Sequence, residues 1–440
     1  MDSISKKIAV TTLGCKVNQC DSAAIVQQLQ ENGYSTVAFN EAADCYIINT
    51  CAVTSSTESQ SRQLIRRALR RSEKALIVVT GCYAQNNAEQ LRILSTRVQV
   101  AGNTAKKDLP HLIDALFKGG KALFEVQDIS QQNIFTSPVA EIFAGRTRAF
   151  LKIQDGCNSR CAYCIVPSVR GPSRSLMLDR VLERMHVLVK NGYKEIVLTG
   201  IHLGAWGLDL KPRYSLGDLL TMCQADPELN EIRLRLSSVE PTEWSDKIID
   251  LMANSKNICP HVHIPLQSGD AAILKSMHRS YTPDFFEDIV LRLVRTIPTI
   301  NIGIDVISGL PGESDSCFLN TCNLLESLPA GYLHVFPYSR RPGTPAAEMS
   351  EQVPATTIKK RLHVLRELSD RKRQAFYQSH VGAEMQILIE SRRDRSTGLL
   401  RGFTRNYIPV LLSGDNDLMG SLQMVNLAAV DGNGVRGTLV

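Results

Sequence analysis

Gly156-Cys-Asn-Ser-Arg-Cys-Ala-Tyr-Cys-Ile165 decides how this chain is to be read. Cys157, Cys161 and Cys164 stand in a C-x-x-x-C-x-x-C spacing, directly after the apolar run Ala149-Phe-Leu-Lys-Ile-Gln154. Three thiolates closing a short loop can hold three corners of a cubane 4Fe–4S cluster and leave the fourth iron free. An open coordination position of that kind separates a catalytic metal site from a closed structural one. The spacing also admits a zinc knuckle or a set of buried thiols. Zinc asks for a fourth Cys or His close by, and the nearest histidines, His186 and His202, fall in a predicted helix and at a distant strand end.

Working outward, 440 residues are enough for two or three domains. The N-terminus, Met1-Asp-Ser-Ile-Ser-Lys-Lys7, lacks the apolar core of a signal peptide, and no run of about 18 apolar residues or hydrophobic tail points to a membrane. Twelve cysteines in such a chain argue against a disulfide framework and for metal or redox use in the reducing cytoplasm. The net charge of +6 is mild, so its distribution matters more than its size.

Residues 1–118 alternate β-rich runs (Lys7–Thr12, Asp44–Asn49, Ala75–Thr80, Val98–Ala101) with helical stretches near Asp21–Glu31, Ser55–Arg71, Ala84–Leu94 and Asp108–Phe117. This alternation predicts a doubly wound parallel sheet. Cys15, Cys51 and Cys82 each fall one to three residues past one of the first three strands, and strand C-termini of an open parallel sheet share one edge. Taken singly, each reads as a small buried hydrophobe. Their repeated placement predicts a second three-thiolate cluster. Cys20 sits at a predicted helix start and reads as structural; Cys45, Cys223, Cys259, Cys317 and Cys322 read as core or incidental thiols. Arg62, Arg66 and Arg70 share a helix face, a solvated stripe or an RNA phosphate contact.

A connecting segment spans 119–148. Residues 149–376 then hold six strand–helix units, with strand cores Phe150–Ile153, Glu195–Thr199, Ile232–Leu236, Val262–Leu266, Ile302–Ile307 and Leu333–Tyr338. They predict a partial (β/α)6 barrel with its chemistry at the strand C-terminal ends. Gly200, Ser237, Gln267 and Gly309 lie at those ends, where turn residues are needed in any case. After a helix at Thr357–Phe376, five short alternating runs in 377–440 predict a small all-β, oligonucleotide-binding-like barrel. Between 356 and 405, twelve Lys/Arg face five Asp/Glu, a positive concentration suited to a phosphate backbone. Arg392, Arg393, Arg401 and Arg405 are its RNA-contact candidates.

The three-cysteine loop with Tyr163 before its last Cys resembles the radical S-adenosylmethionine (SAM) superfamily. The longer string Lys152-Ile-Gln-Asp-Gly-Cys157, continuing through Ile165-Val-Pro167 to Arg170-Gly171, resembles the methylthiotransferases within it. So do Thr12-Leu-Gly-Cys-Lys-Val-Asn18, Asn49-Thr-Cys-Ala-Val-Thr54 and Thr80-Gly-Cys-Tyr-Ala-Gln85. Leu400-Arg-Gly-Phe-Thr-Arg-Asn-Tyr407 is similar to the RNA-binding TRAM domain. The resemblance implies a radical-SAM barrel and two 4Fe–4S clusters: a catalytic one on Cys157, Cys161 and Cys164 that chelates SAM, and an auxiliary one on Cys15, Cys51 and Cys82 that carries or donates sulfur. It makes Tyr163 a neighbour of the adenine, and Gly200, Ser237, Gln267 and Gly309 parts of the SAM pocket.

His334-Val-Phe-Pro-Tyr-Ser-Arg-Arg-Pro-Gly-Thr-Pro-Ala346 is most similar to the branch that methylthiolates C2 of N6-threonylcarbamoyladenosine at position 37 of tRNA. One SAM methylates sulfur at the auxiliary cluster, a second is cleaved to a 5′-deoxyadenosyl radical, and the methylthio group is transferred. Implied partners are that tRNA, a low-potential electron donor of flavodoxin or ferredoxin type, and a sulfur donor, all cytoplasmic. The rival branches act on isopentenyl-adenosine tRNA or on a ribosomal-protein aspartate. A rival of another class is a non-catalytic iron–sulfur RNA-binding or sensor protein, which would need no open irons.

Overall fold

The computed structural model describes residues 6–120, 122, 124–143 and 145–440. Residues 1–5, read above as lacking a signal-peptide core, and residues 121, 123 and 144 of the connecting segment lie outside the described residues.

Strands β1 (Lys7–Thr12), β2 (Ser35–Val37), β3 (Cys45–Thr50), β4 (Leu76–Gly81) and β5 (Val98–Val100) form one parallel sheet in the order β2-β1-β3-β4-β5. Successive residues of a strand face opposite sides, so a sheet covered on both faces needs near-continuous apolar strands. Ile8, Cys45, Ile47 and Val78 pack under the helices Lys16–Glu31 and Leu109–Phe117. Ala9, Tyr46, Ile48 and Ile77 pack under the helix Ser55–Arg71 through Ile65 and Ala68. That last helix starts where predicted, because Thr54 and Thr57 form a reciprocal cap.

Three expectations change here. The three-residue edge strand β2 was not anticipated; it is too short and polar to show a period. The first helix begins at Lys16 rather than Asp21, with Cys15 as its N-cap. Cys20 therefore lies inside the helix, buried, with its thiol directed at Phe150 O 3.4 Å away. The helix expected at Ala84–Leu94 is two short ones, Cys82–Asn86 and Ala88–Arg92, broken by the non-helical Asn87.

Strand β6 (Ala149–Lys152) opens the central body, followed by a short antiparallel pair, β7 (Gln154–Asp155) and β8 (Arg174–Ser175). Then come β9 (Glu195–Thr199), β10 (Arg233–Leu236), β11 (His261–Gln267), β12 (Asn301–Ser308) and β13 (Tyr332–Pro337). The six long strands are parallel but form two three-stranded ladders, β6-β9-β10 and β11-β12-β13, rather than one continuous barrel wall. Single bridges, Leu234 to Ile258 and Ser238 to His263, join them. Pro265, on the β10-facing register of β11, brings no N–H to this seam. Helices between the strands close an apolar core running from Leu151 and Leu198 to Ile264 and Ile304. The exposed edge of β13 is covered by the long helix Ala355–Gln378.

Strands β14 (Glu384–Ile389), β15 (Leu400–Thr404), β16 (Pro409–Leu412), β17 (Leu422–Asp431) and β18 (Gly434–Leu439) close a small barrel around Ile387, Leu400, Val410, Val425 and Leu427. It seats under the N-terminal ends of the central strands. Arg233 donates to Phe403 O (3.0 Å), Asn301 to Asn406 O (2.9 Å), and the Arg235 guanidinium lies 4.7 Å from the centre of the Tyr407 ring. The strand C-terminal ends are left to the first sheet and its cysteines.

Candidate active site

The β7/β8 pair turns residues 156–173 into an excursion that carries Cys157, Cys161 and Cys164. Gly156 has φ +73°, and a Cβ there would lie 1.9 Å from Pro172 O, so only glycine lets the loop close. Ser159 N donates to Cys157 Sγ (3.4 Å), and Arg279 Nη1 donates to Cys161 Sγ (3.1 Å). Contrary to the sequence reading, His202 is not remote: its Nδ1 lies 3.6 Å from Cys157 Sγ, while Nε2 pairs with Glu243 at 2.6 Å. Burial pulls His202 down, but Cys157 and Glu243 more than compensate and carry it to about 10. Burial and the neighbouring thiols push Cys164 up to about 12.

Cys15, Cys51 and Cys82 meet at the C-terminal edge of the first sheet. A Cβ on Gly14 (φ +93°) would fall 2.7 Å from Cys51 Cβ and 2.8 Å from its Sγ, so this glycine sets how closely the Cys15 loop approaches Cys51. Burial and the adjacent Cys82 push the Cys51 thiol up to about 11. Cys82 Sγ accepts from Nε of the fully buried Arg170, 3.3 Å away.

Arg170 belongs to a buried charge cluster on the seam between sheet and barrel. Lys106 (2.6 Å) and Lys152 (2.7 Å) pair with Asp21, and Lys152 (2.7 Å), Arg170 (3.2 Å) and Arg174 (3.5 Å) pair with Asp155. Arg170 also bonds Asn18. Burial opposes ionisation of both carboxyls, yet Lys106 and Lys152 respectively lead the cations that hold them well below the usual range. Four cations face two carboxylates, so positive charge is left over beside Cys82.

A thiolate-ligated iron–sulfur group fits these residues. Cys51 and Cys164, raised by burial and by neighbouring thiols, ionise only against a strongly cationic partner. A tetrahedral zinc ion, with Zn–S bonds of about 2.3 Å, would draw its ligands to within about 4 Å of each other. Among the described residues, the only three-ligand group with all its ligand atoms within 4.8 Å is His263, Asp305 and His334. Both thiol triplets are wider, as a multi-iron group requires, and the surplus cations suit an anionic cluster.

One cavity of about 200 Å³ is lined by Tyr163 and Cys164 of the barrel loop and by Val53 and Thr54, which follow Cys51 in the first sheet. Gln267 also lines it: a register shift between Pro265 and Gln267 and a φ of +66° aim this residue inward, a common device beside active sites. The other three pocket candidates do not line it. A Cβ on Gly200 would meet Gln154 Oε1 at 2.9 Å and one on Gly309 would meet Ile358 Cγ1 at 2.3 Å, so these glycines admit protein neighbours. Ser237 is buried with its Oγ unpartnered.

The arginines divide similarly. Arg405 donates to Ser255 O and Ile258 O, and Arg393 to Asn416, Gly398 O and Gly414 O, so both guanidinium groups hold local structure. Arg62 bonds the Tyr83 hydroxyl (2.7 Å). Arg66, Arg392 and Arg401 are exposed. Several site residues carry no local sequence signal: Asp21, Arg279 and Arg341, the last bonding Ala52 O, Ser55 and Glu58 in the loop after Cys51. Arg170, quoted only as part of a motif, is another. Their partners are far away in sequence.

Parallel strands with a cysteine-bearing loop after the first of them define a radical SAM protein, and the description Radical SAM superfamily matches residues 151–325. Residues 7–102 match Uncharacterized protein family UPF0004. The chain is 37% identical, over 96% of its length and 93% of the relative's, to threonylcarbamoyladenosine tRNA methylthiotransferase MtaB of Bacillus subtilis. It is likewise 37% identical, over 93% of its length and 97% of the relative's, to the protein of that name in Aquifex aeolicus. It is 31% identical to tRNA-2-methylthio-N(6)-dimethylallyladenosine synthase of Pelotomaculum thermopropionicum (96% of this chain, 95% of that one). This chain belongs to the radical SAM methylthiotransferase family. Its fold is similar to that of the radical SAM methyltransferase TsrM from Kitasatospora setae, at a TM-score of 0.56 and 15% identity over 78% of this chain and 77% of that one.

Proposed function

We propose that this chain transfers a methylthio group to C2 of N6-threonylcarbamoyladenosine at position 37 of tRNA. In this reading Cys157, Cys161 and Cys164 hold the SAM-binding 4Fe–4S cluster, and Cys15, Cys51 and Cys82 hold the auxiliary one. The cavity between Cys164 and the residues that follow Cys51 carries the proposal, because a base seated there has one triplet at its wall and the loop of the other opposite. The greater identity to the two threonylcarbamoyladenosine methylthiotransferases, 37% against 31%, supports threonylcarbamoyladenosine over the dimethylallyl substrate. When bound, SAM and the reduced cluster supply the radical chemistry that an unactivated aromatic C–H requires and no acid–base pair provides.

The chain's own residues position and insulate. Arg279 and His202 hydrogen-bond the first triplet, Arg170 the second, and Arg341 clasps the Cys51 loop to the end of β13. Gln267 and Tyr163 line the SAM side of the cavity, and Ser237 Oγ offers a buried polar contact. We read the covered first sheet as doubly wound within 1–118, the central body as 149–376, and the small barrel of 377–440 as a TRAM domain. Arg392 and Arg401 on that domain, with Arg66, are the exposed candidates for RNA phosphates. Among the described residues no helix is long and apolar enough to cross a membrane. A tRNA substrate and a flavodoxin- or ferredoxin-type donor, with a separate sulfur donor, place the work in the cytoplasm.

Two variants test the division of labour. Cys161→Ala should release no 5′-deoxyadenosine after dithionite reduction, and Cys51→Ala should release it without methylthiolating tRNA. Each should bind about four irons instead of about eight. SAM cleavage by the first variant, or about eight irons in the second, would refute the assignment.

A further inference from the structure

A groove of about 470 Å³ runs between β13 and the helix Ala355–Gln378, with His334, Phe336, Arg366 and Arg373 among its walls. It adjoins the cavity lined by Cys164: Phe336 lines both, and His334 Nδ1 lies 3.4 Å from Asp305, a wall of that cavity. Phe336 is 43% exposed here, an aromatic face beside the active cavity. Arg373 is paired with Asp370. Arg366 is exposed and, among the described residues, enters no ion pair or hydrogen bond. Arg341, at the cavity itself, is already held by Glu58, Ser55 and Ala52.

The substrate proposed above carries, several bonds from C2, a threonyl carboxylate that is ionised at neutral pH. A carboxylate drawn against a protein wall needs a cationic or strongly donating partner. We propose that Phe336, His334 and Arg366 form the subsite for this carboxylate, with Arg366 as its charged partner and as the residue that separates a threonylcarbamoyl from an isopentenyl group. The inference rests on the substrate reading. An RNA phosphate offers the same anionic chemistry, so the test must separate the two sources.

The full-chain enzyme with both clusters reconstituted is titrated with three anticodon stem–loop RNAs, identical except at position 37: N6-threonylcarbamoyladenosine, its threoninamide analogue and unmodified adenosine. Wild type should prefer the carboxylate over the amide by about ten-fold or more. Arg366→Gln should remove most of that preference while leaving affinity for the adenosine RNA unchanged. His334→Phe, which keeps a ring beside Phe336, should reduce the preference partly. Equal weakening of all three RNAs by Arg366→Gln would identify a phosphate contact and overturn the proposal, as would a wild type indifferent to the amide. Nucleoside mass analysis separates the two failures. A wild type forming no methylthio product on the threonylcarbamoyl RNA refutes the substrate reading, whereas product formation with an unchanged preference in Arg366→Gln refutes the subsite alone.

Discussion

Gly14 shows how a residue without a side chain can set the spacing of a cysteine triplet. Its positive φ and its approach to Cys51 leave no room for a methyl group. Gly14→Ala should therefore displace Cys51 while sparing the barrel triplet. Iron analysis after anaerobic reconstitution should fall from about eight to about four per polypeptide, with SAM cleavage retained; full iron content would show that the loop relaxes without cost. The same scale explains Arg170. Its guanidinium hydrogen-bonds Cys82, Asn18, Asp21 and Asp155 at once, a task for a planar fork with several donors rather than for an ammonium. The motif containing Arg170 was legible, but its partners are 15 to 152 residues away, so its role was not.

At the scale of elements, β13 ends the row of parallel strands and would expose unpaired N–H and C=O groups. Ser369, from the covering helix, answers one residue of that edge: its Oγ accepts from Leu333 N (2.9 Å) and donates to Leu333 O (3.0 Å). Ser369→Ala leaves both groups buried and unpaired, so we expect a loss of about 1–3 kcal/mol in urea denaturation. Amide exchange at Leu333 should quicken while the helix persists; unchanged exchange would mean that water replaces the hydroxyl. The helix Ser55–Arg71 was readable because its cap and polar face are local. The split at Asn87 was not; it leaves the short helix Cys82–Asn86 packed against the barrel's helix Val166–Arg170, a contact far away in sequence.

Across the whole molecule, the buried ionic cluster fastens the first sheet to the barrel. Lys106 and Asp21 come from one side, and Lys152, Asp155, Arg170 and Arg174 from the other. Asp21 and Asp155 titrate below the unfolded value of about 3.9. They contribute stability that is complete above that value and lost as pH falls through the folded one. Urea stability should hold from about pH 7 to about pH 5 and then decline steeply toward pH 2. In Asp155→Asn the decline should be shallower; an equally steep one would show that the seam does not set the acid response. At the opposite end, the small barrel meets the central strands roughly 20 Å, one strand length, from their C-terminal ends.

The sequence by itself carried the alternation of strands and helices, the cap at Thr54 and the spacing of the cysteines, because periodicity, caps and motif spacing are properties of neighbouring residues. Only the tertiary structure decided that Cys164 and the residues after Cys51 line one cavity, that His202 approaches Cys157, and that Gly200 and Gly309 face protein. It also decided that four cations crowd two carboxylates between sheet and barrel, and that Arg366, in the groove beside β13, has no ion-pair partner among the described residues. Such facts depend on which distant side chains share a small volume from which water is excluded, and that is set by how the layers pack.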